Sequence, residues 1–336
     1  MILFTAAGCA HGRLPELPPE EWHQAARWPL PPDPPRLLCV GELRGGADIV
    51  ESRGFFGWLG DVVLGESEER ALRWPLGLAT ADGKLLVADG RAAGVWLLDV
   101  PRAESRLLRE LADGQNLVAP VDVAMDGDGN IYVSDTELKV VARFTADGDP
   151  LPAIGKGTLQ RPTGLAWRTA PDELLVVDTG AHQVVVYDSQ GRERSRFGQR
   201  GEGAGQLNFP LFVATGRDGH AWVVDAMNAR VQRFDRAGKW VSGFGFRGNA
   251  PGAFASPKGI ALDGDGNIYV ADALFDNIQV FDQQGTLLLV FGGHGTALGQ
   301  MSLPEGLAVD QENRIFIADA LNRRIQICRY LPEVAP

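Results

Sequence analysis

The sequence predicts an all-β fold: a six-bladed propeller of four-stranded antiparallel blades, its ring closed by an N-terminal strand in the last blade. Three observations predict it. The stretch MDGDGNIYVSD from Met125 returns almost unchanged as LDGDGNIYVAD from Leu262. Two independent rulers then divide the chain into units of 42 to 48 residues: Pro75, Pro120, Pro162, Pro210, Pro257 and Pro304, and Asp89, Asp135, Asp178, Asp225, Asp272 and Asp319. A fixed period of this length marks a repeat array. Finally, each unit consists of short apolar runs split by turns, with none of the helical periodicity that a strand-plus-helix solenoid requires.

The fifth unit shows the elements in order. GIALD is a first strand, GDGN a tight turn with glycine where positive φ is wanted, IYVAD a second strand, NIQVFD a third and TLLLVFG a fourth. Four antiparallel strands in about 45 residues make a propeller blade. The sixth unit has GLAVD, RIFIAD and RIQICRY and then breaks off, so its blade lacks an outer strand. RLLCVGEL, Arg36 to Leu43, supplies it and removes the open edges. That clasp makes Cys39 a neighbour of Cys328. In an oxidising compartment the two can form a disulfide that locks the ring; two unlinked cysteines filling blade positions are the alternative.

The domain organisation follows. Residues 1–35 are a signal remnant and a Pro-rich leader, and residues 36–336 one propeller. Within it lie the clasp strand (36–43), an insert (44–73) and blades starting near 74, 119, 161, 209, 256 and 303. The prolines of LPELPPE and WPLPPDPPR block helix interior and central strand, which places the leader outside the fold. LFTAAGCA resembles the end of a bacterial lipoprotein signal, with Cys9 as the lipidated residue, although the charged n-region is missing. In the insert, Phe55, Phe56 and Trp58 form an apolar stretch that either packs on the propeller or faces a membrane or partner. The formal net charge of −11 makes nucleic acid an unfavourable partner. No run of 18 apolar residues is present, so no membrane-spanning helix is expected.

The units resemble NHL repeats. SPKGIALDGDGNIYVADALFDNIQVFDQQG from Ser256 and LPEGLAVDQENRIFIADALNRRIQI from Leu303 carry the pattern; Asn228 and His182 take its asparagine and histidine positions, and the first two units are degenerate. The resemblance covers Trp74 to Tyr330. It implies the propeller fold and a wide choice of function, from RNA- or protein-binding scaffolds to amidating lyases and lactonases, so function has to be argued from the site.

The six repeated aspartates close strands before turns, where a short carboxylate caps backbone N–H groups. The DGDGN turns lack the last glutamate of a calcium loop and read as hairpins. The histidines His182, His220 and His294 fall at three different places in their units and do not converge on the axis. The channel mouth holds the remaining candidates. Lys258 and Glu305 occupy equivalent positions in adjacent blades and are expected to pair. Asp122 replaces the usual glycine and is expected to meet Arg161. Either these are structural ion pairs or they line a small-ligand site. The lactonase likeness implies a divalent ion, calcium or zinc, to which Glu305 would contribute one ligand, but the matching asparagines are absent.

These residues favour a noncatalytic scaffold with no cofactor. It would be lipid-anchored at the bacterial cell envelope, periplasmic or on the outer membrane, and bind a protein or an extracellular polymer. The alternative is a metal-dependent hydrolase or lyase in the central channel, using Glu305 and Asp122.

Overall fold

The computed structural model describes residues 13–30, 33–49 and 71–331. Six sheets surround one axis. The innermost strands are Pro75–Ala81, Pro120–Met125, Pro162–Arg168, Pro210–Thr215, Pro257–Leu262 and Pro304–Val309. Blade 5 continues through Ile268–Asp272, Asn277–Phe281 and Leu287–Gly292, as the apolar runs predict. We call the end where the inner strands begin the proline mouth, and the other end the hairpin mouth.

The core consists of six layers, each between two neighbouring blades. Tyr269 and Ile278 of blade 5, for example, pack with Leu307 and Ile317 of blade 6. A strand buried on both faces cannot alternate apolar with polar, which explains continuous runs such as LLVVD at Leu174.

Each unit also buries one carboxylate, and Asp89, Asp135, Asp225, Asp272 and Asp319 have no exposed surface. Asp272 accepts hydrogen bonds from the backbone N–H groups of Ala255 (2.7 Å) and Ser256 (3.1 Å), just before the inner strand. It accepts two more from Leu274 and Phe275 in the following turn. Asp135 does the same with Val118, Ala119, Glu137 and Leu138. The turn's fourth residue lies in the left-handed region in every blade: Ala93, Lys139, His182, Ala229, Asp276 and Arg323. At this position His182 accepts the Phe209 N–H at 3.1 Å and Asp276 accepts that of Leu303 at 2.7 Å, so each fastens the loop entering the next blade. These are structural roles.

Ring closure is as the sequence predicts. Leu37–Leu43 pairs antiparallel with Arg324–Tyr330, and Cys39 stands opposite Cys328. The two cysteines, both fully buried, are joined in a disulfide across a sequence separation of 289 residues.

The leader corrects an expectation, because from Arg13 onward it lies on the propeller instead of outside it. Ala26–Trp28 adds a fifth strand beyond the clasp, Leu17 donates to the Val40 carbonyl at 2.6 Å, and Leu14, Leu17 and Trp22 pack on the layer between blades 6 and 1. Glu16 pairs with Arg314 (3.4 Å) and Arg329 (2.8 Å). The prolines flank the stretch that pairs, and EWHQAARW between them keeps its N–H donors and its aromatic anchors. Cys9, Phe55, Phe56 and Trp58 lie outside the described residues. The start of the insert is described: Gly46–Ile49 is a single 3-10 turn, its Ile49 buried between blades 6 and 1.

Two predictions follow from this framework. Asp272→Ala strands four backbone donors and is expected to cost about 3–5 kcal/mol in urea unfolding, whereas Asp265→Ala at the exposed hairpin tip stays within about 0.5 kcal/mol. Replacing Cys39 and Cys328 together by serine should lower stability by about 2–5 kcal/mol without changing the far-UV circular dichroism spectrum.

Candidate active site at the channel mouth

An innermost strand has a ladder partner on one side only; its other edge faces the axis. At the second position after each opening proline, neighbouring strands come together. A Cβ on Gly259 would overlap the carbonyl of Glu305, and one on Gly306 the carbonyl of Leu76. Glycine therefore occupies this position in four of the six blades: Gly77, Gly164, Gly259 and Gly306. The exceptions are Asp122 and Phe212.

Asp122 is 4% exposed. Its Oδ2 accepts the Leu165 N–H of the next blade at 2.8 Å. Leu165 gives that N–H to the carboxyl and not across its ladder, so the carboxyl lies on the axial side of the strand. The carboxyl also fills the space left by the missing side chain of Gly77. Its own backbone N–H donates to Ser134 Oγ at 3.0 Å. No cation faces it among the described residues, and burial pushes its carboxyl up to about 8 against the pull of two backbone N–H groups. Arg161 is not its partner: that side chain is exposed, and its backbone is engaged elsewhere, the N–H by Asp178 and the carbonyl by Thr179. The sequence-based pairing fails because the partner of Asp122 is a main-chain amide, which no side-chain pattern reveals. Ser134, which in the sequence has no matching histidine to make it a nucleophile, is a supporting residue whose part beside Asp122 sequence reasoning missed. Its signal was there, since the other five blades have alanine or valine at that place: Ala88, Val177, Val224, Ala271 and Ala318.

Lys258 and Glu305 do meet, Nζ to Oε1 3.3 Å, across the boundary of blades 5 and 6. Burial raises the Glu305 carboxyl and Lys258 opposes this, with burial the larger effect. In the third blade the same position holds Thr163, which donates to the Leu211 carbonyl at 2.8 Å.

A divalent ion does not fit these residues. Glu305 is held by Lys258 and Asp122 by a backbone amide, and among the described residues no three His, Cys, Asp or Glu side chains come together as a ligand set. The DGDGN turns are likewise closed. Asp263 accepts from Asp265 N, Asn267 N, Asn267 Nδ2 and the Tyr269 hydroxyl, all within its own hairpin.

A concavity of about 530 Å³ opens at the other end, the hairpin mouth, among Asp82, Arg217, Asp218, Asp263 and Asp310. Several of its carboxylates are already engaged. Asp310 pairs with Arg314, Asp218 with Arg233, and Asp263 is satisfied by its turn. The concavity and the uncompensated carboxyl of Asp122 thus lie at opposite mouths.

Nucleic-acid binding through the arginines at the repeats' third strands has little left to act with. Arg324 is buried against Asp319 (2.8 Å), Glu42 and three loop carbonyls, and Arg230 against Asp225 and two.

With this geometry in place, comparison with known proteins is informative. The family model of the teneurin NHL domain matches residues 108–303. The chain belongs to that family. A curated relative, the E3 ubiquitin-protein ligase NHLRC1 of Rattus norvegicus, is 40% identical over 72 residues, 21% of this chain and 18% of the relative. The chain thus matches less than a fifth of that protein's length. Among solved structures, a streptogramin B lyase aligns with a TM-score of 0.56 and 14% identity over 76% of this chain and 93% of its own. The hydrazine synthase of Kuenenia stuttgartiensis aligns with a TM-score of 0.57 and 12% identity over 78% and 97%. At these identities the likeness is one of fold. It still corrects the expectation of a noncatalytic protein, which rested on the want of a familiar catalytic set: the fold is shared with a lyase and with a synthase. Among the described residues no helix is long and apolar enough to cross a membrane.

Asp122 makes stability depend on pH in a definite direction. Its folded pKa, about 8, lies above the ordinary value of 3.8, so the folded chain holds a proton that the unfolded chain releases between those limits. Stability contributed by this group is complete below pH 4, falls through the window and is gone above 8. Asp122→Asn keeps an acceptor for Leu165 N–H without the titration. Its stability relative to the unsubstituted protein is expected to rise by a few kcal/mol, on the order of 1.4 per pH unit, between pH 5 and 8 in urea titrations.

Proposed function

We propose that the teneurin-type propeller binds a small polar organic substrate at the proline mouth of its central channel and cleaves it by acid–base chemistry, as a lyase or hydrolase. The observation that carries this reading is Asp122: a buried carboxyl on the axial wall, without a counter-ion, protonated at neutral pH and therefore able to donate. Glu305, beside Lys258, supplies a second carboxyl in a different environment, and two titrating groups in unlike surroundings divide the roles of acid and base. Asp122 gives its proton to the departing oxygen or nitrogen while Glu305, as carboxylate, takes one from the substrate or from the attacking water; Lys258 orients Glu305 and favours its charged form. Ser134 holds the backbone of Asp122 in place.

We propose, too, that the protein works outside the cytosol, at the cell envelope and anchored through Cys9. The buried Cys39–Cys328 disulfide supports an oxidising compartment, where such bonds persist.

The test is a panel of lactones, carboxylic esters and substrates prone to β-elimination. Where the unsubstituted protein turns over a member of the panel, Asp122→Asn and Glu305→Gln are expected to lower kcat by about 100-fold or more. The Asp122→Asn profile should lose its alkaline limb near pH 8, with the melting temperature below pH 4 unchanged. Turnover that survives both substitutions would sink the proposal.

A further inference from the structure

We propose that the proline mouth is also a docking surface for a polypeptide segment that carries carboxylates among apolar side chains. The turn between the second and third strands places an exposed apolar residue at the same point in blades 4, 5 and 6: Met227, Leu274 and Leu321, exposed by 56, 68 and 52%. The matching residues of blades 1 to 3 are Arg91, Glu137 and Gly180. Phe209 and Phe246, on the loops entering blades 4 and 5, extend the same arc. The exposed apolar side chains of this mouth thus gather on one half of it, Val118 before blade 2 apart, while Leu30, Trp240, Val241 and Leu288, toward the hairpin end, stand on the outer edges of their blades. A gathered patch of this kind marks an interaction site where scattered residues do not.

The arc is held in place. Met227 donates its N–H to the Asn208 carbonyl and Leu321 to that of Ser302, both at 3.1 Å. The loops beneath are gripped by Gln232 and Gln326, which accept the N–H groups of Gly205 and Gly299. A surface ordered before binding loses less entropy when a partner arrives.

Charge selects the partner. The chain carries a net −11, yet the proline mouth exposes Arg161, Arg200 and Arg323, none with a carboxylate partner among the described residues. Arg247 bridges to the Met227 carbonyl and stands beside the arc. Exposed arginines next to apolar anchors match a segment that alternates acidic and apolar residues. A second copy fits less well. Its hairpin mouth, with Asp82, Asp265 and Glu312, has the charge, but its exposed apolar side chains stand on the outer blade edges, away from those carboxylates. A two-fold pairing of proline mouths would oppose like charges. Nucleic acid would use the arginines and leave the apolar arc uncovered.

The experiment measures fluorescence anisotropy of a short labelled peptide alternating Leu and Phe with Glu, and of its counterpart with Lys for Glu. Vesicles of phosphatidylglycerol and a uridine oligomer are run in parallel. The Glu peptide is expected to bind at least about tenfold more tightly than the Lys peptide, and less tightly as salt is added. Binding should weaken about tenfold in a Met227→Ser, Leu274→Ser, Leu321→Ser variant and in Arg161→Glu with Arg323→Glu, at unchanged melting temperature. It should be unaffected by Asp122→Asn, which separates docking from the channel chemistry. Equal binding of the two peptides, preference for vesicles or the oligomer, or self-association in sedimentation velocity that the triple variant abolishes would each overturn the proposal.

Discussion

The fold depends on one carboxylate per blade. An innermost strand has a single ladder neighbour, and the segment that leads into it crosses from the outer edge of the previous blade. Its last N–H groups would be buried with no acceptor, at a cost of about 1–3 kcal/mol each. The aspartate that ends the second strand answers this, accepting from the segment before the proline on one side and, in all blades but the third, from the following turn or its side chains on the other. In blades 4 and 6 the turn's share is taken by Asn228 with Arg230 and by Asn322 with Arg324. Because six such clamps hold six inner strands, the axis is narrow and the strands touch through glycines.

The chemistry arises where that repeat is broken. A site where neighbouring backbones nearly collide admits a side chain only at special cost, and Asp122 is such a case: its carboxyl lies where four of the other blades have only glycine, facing a main-chain amide. The same crowding shields it from water and raises its pKa. One position earlier, where the strands leave more room, Lys258 and Glu305 reach each other across a blade boundary. Confinement by the ring, and no special loop, sets the electrostatics of all three groups.

Closure of the ring is shared between covalent and noncovalent devices. The clasp strand completes blade 6, the disulfide ties its middle to the last strand of the chain, and the leader covers the edge that the clasp would otherwise present to solvent. Glu16, through Arg314 and Arg329, fastens the leader to the same blade. An open sheet edge would invite pairing with other chains, so the leader acts as a guard on that edge.

The architecture was legible in the sequence because a propeller is a sum of local statements. Each blade's turns, apolar runs and capping aspartate are written within some 45 residues, and the repetition multiplies the signal. The pairing of Lys258 with Glu305 was legible because equivalent positions in adjacent blades meet, and the place of Cys39 beside Cys328 because the clasp strand supplies the missing edge of blade 6. The rest was decided by tertiary structure. Asp122 finds a backbone amide instead of Arg161, because main-chain partners carry no side-chain identity. The leader packs because an exposed strand edge, which exists only once the ring is closed, offers it hydrogen bonds. The split between an acidic hairpin mouth and a basic, partly apolar proline mouth could not be read from a net charge of −11, since a sum over residues holds no direction until the strands assign each turn to one end of the axis.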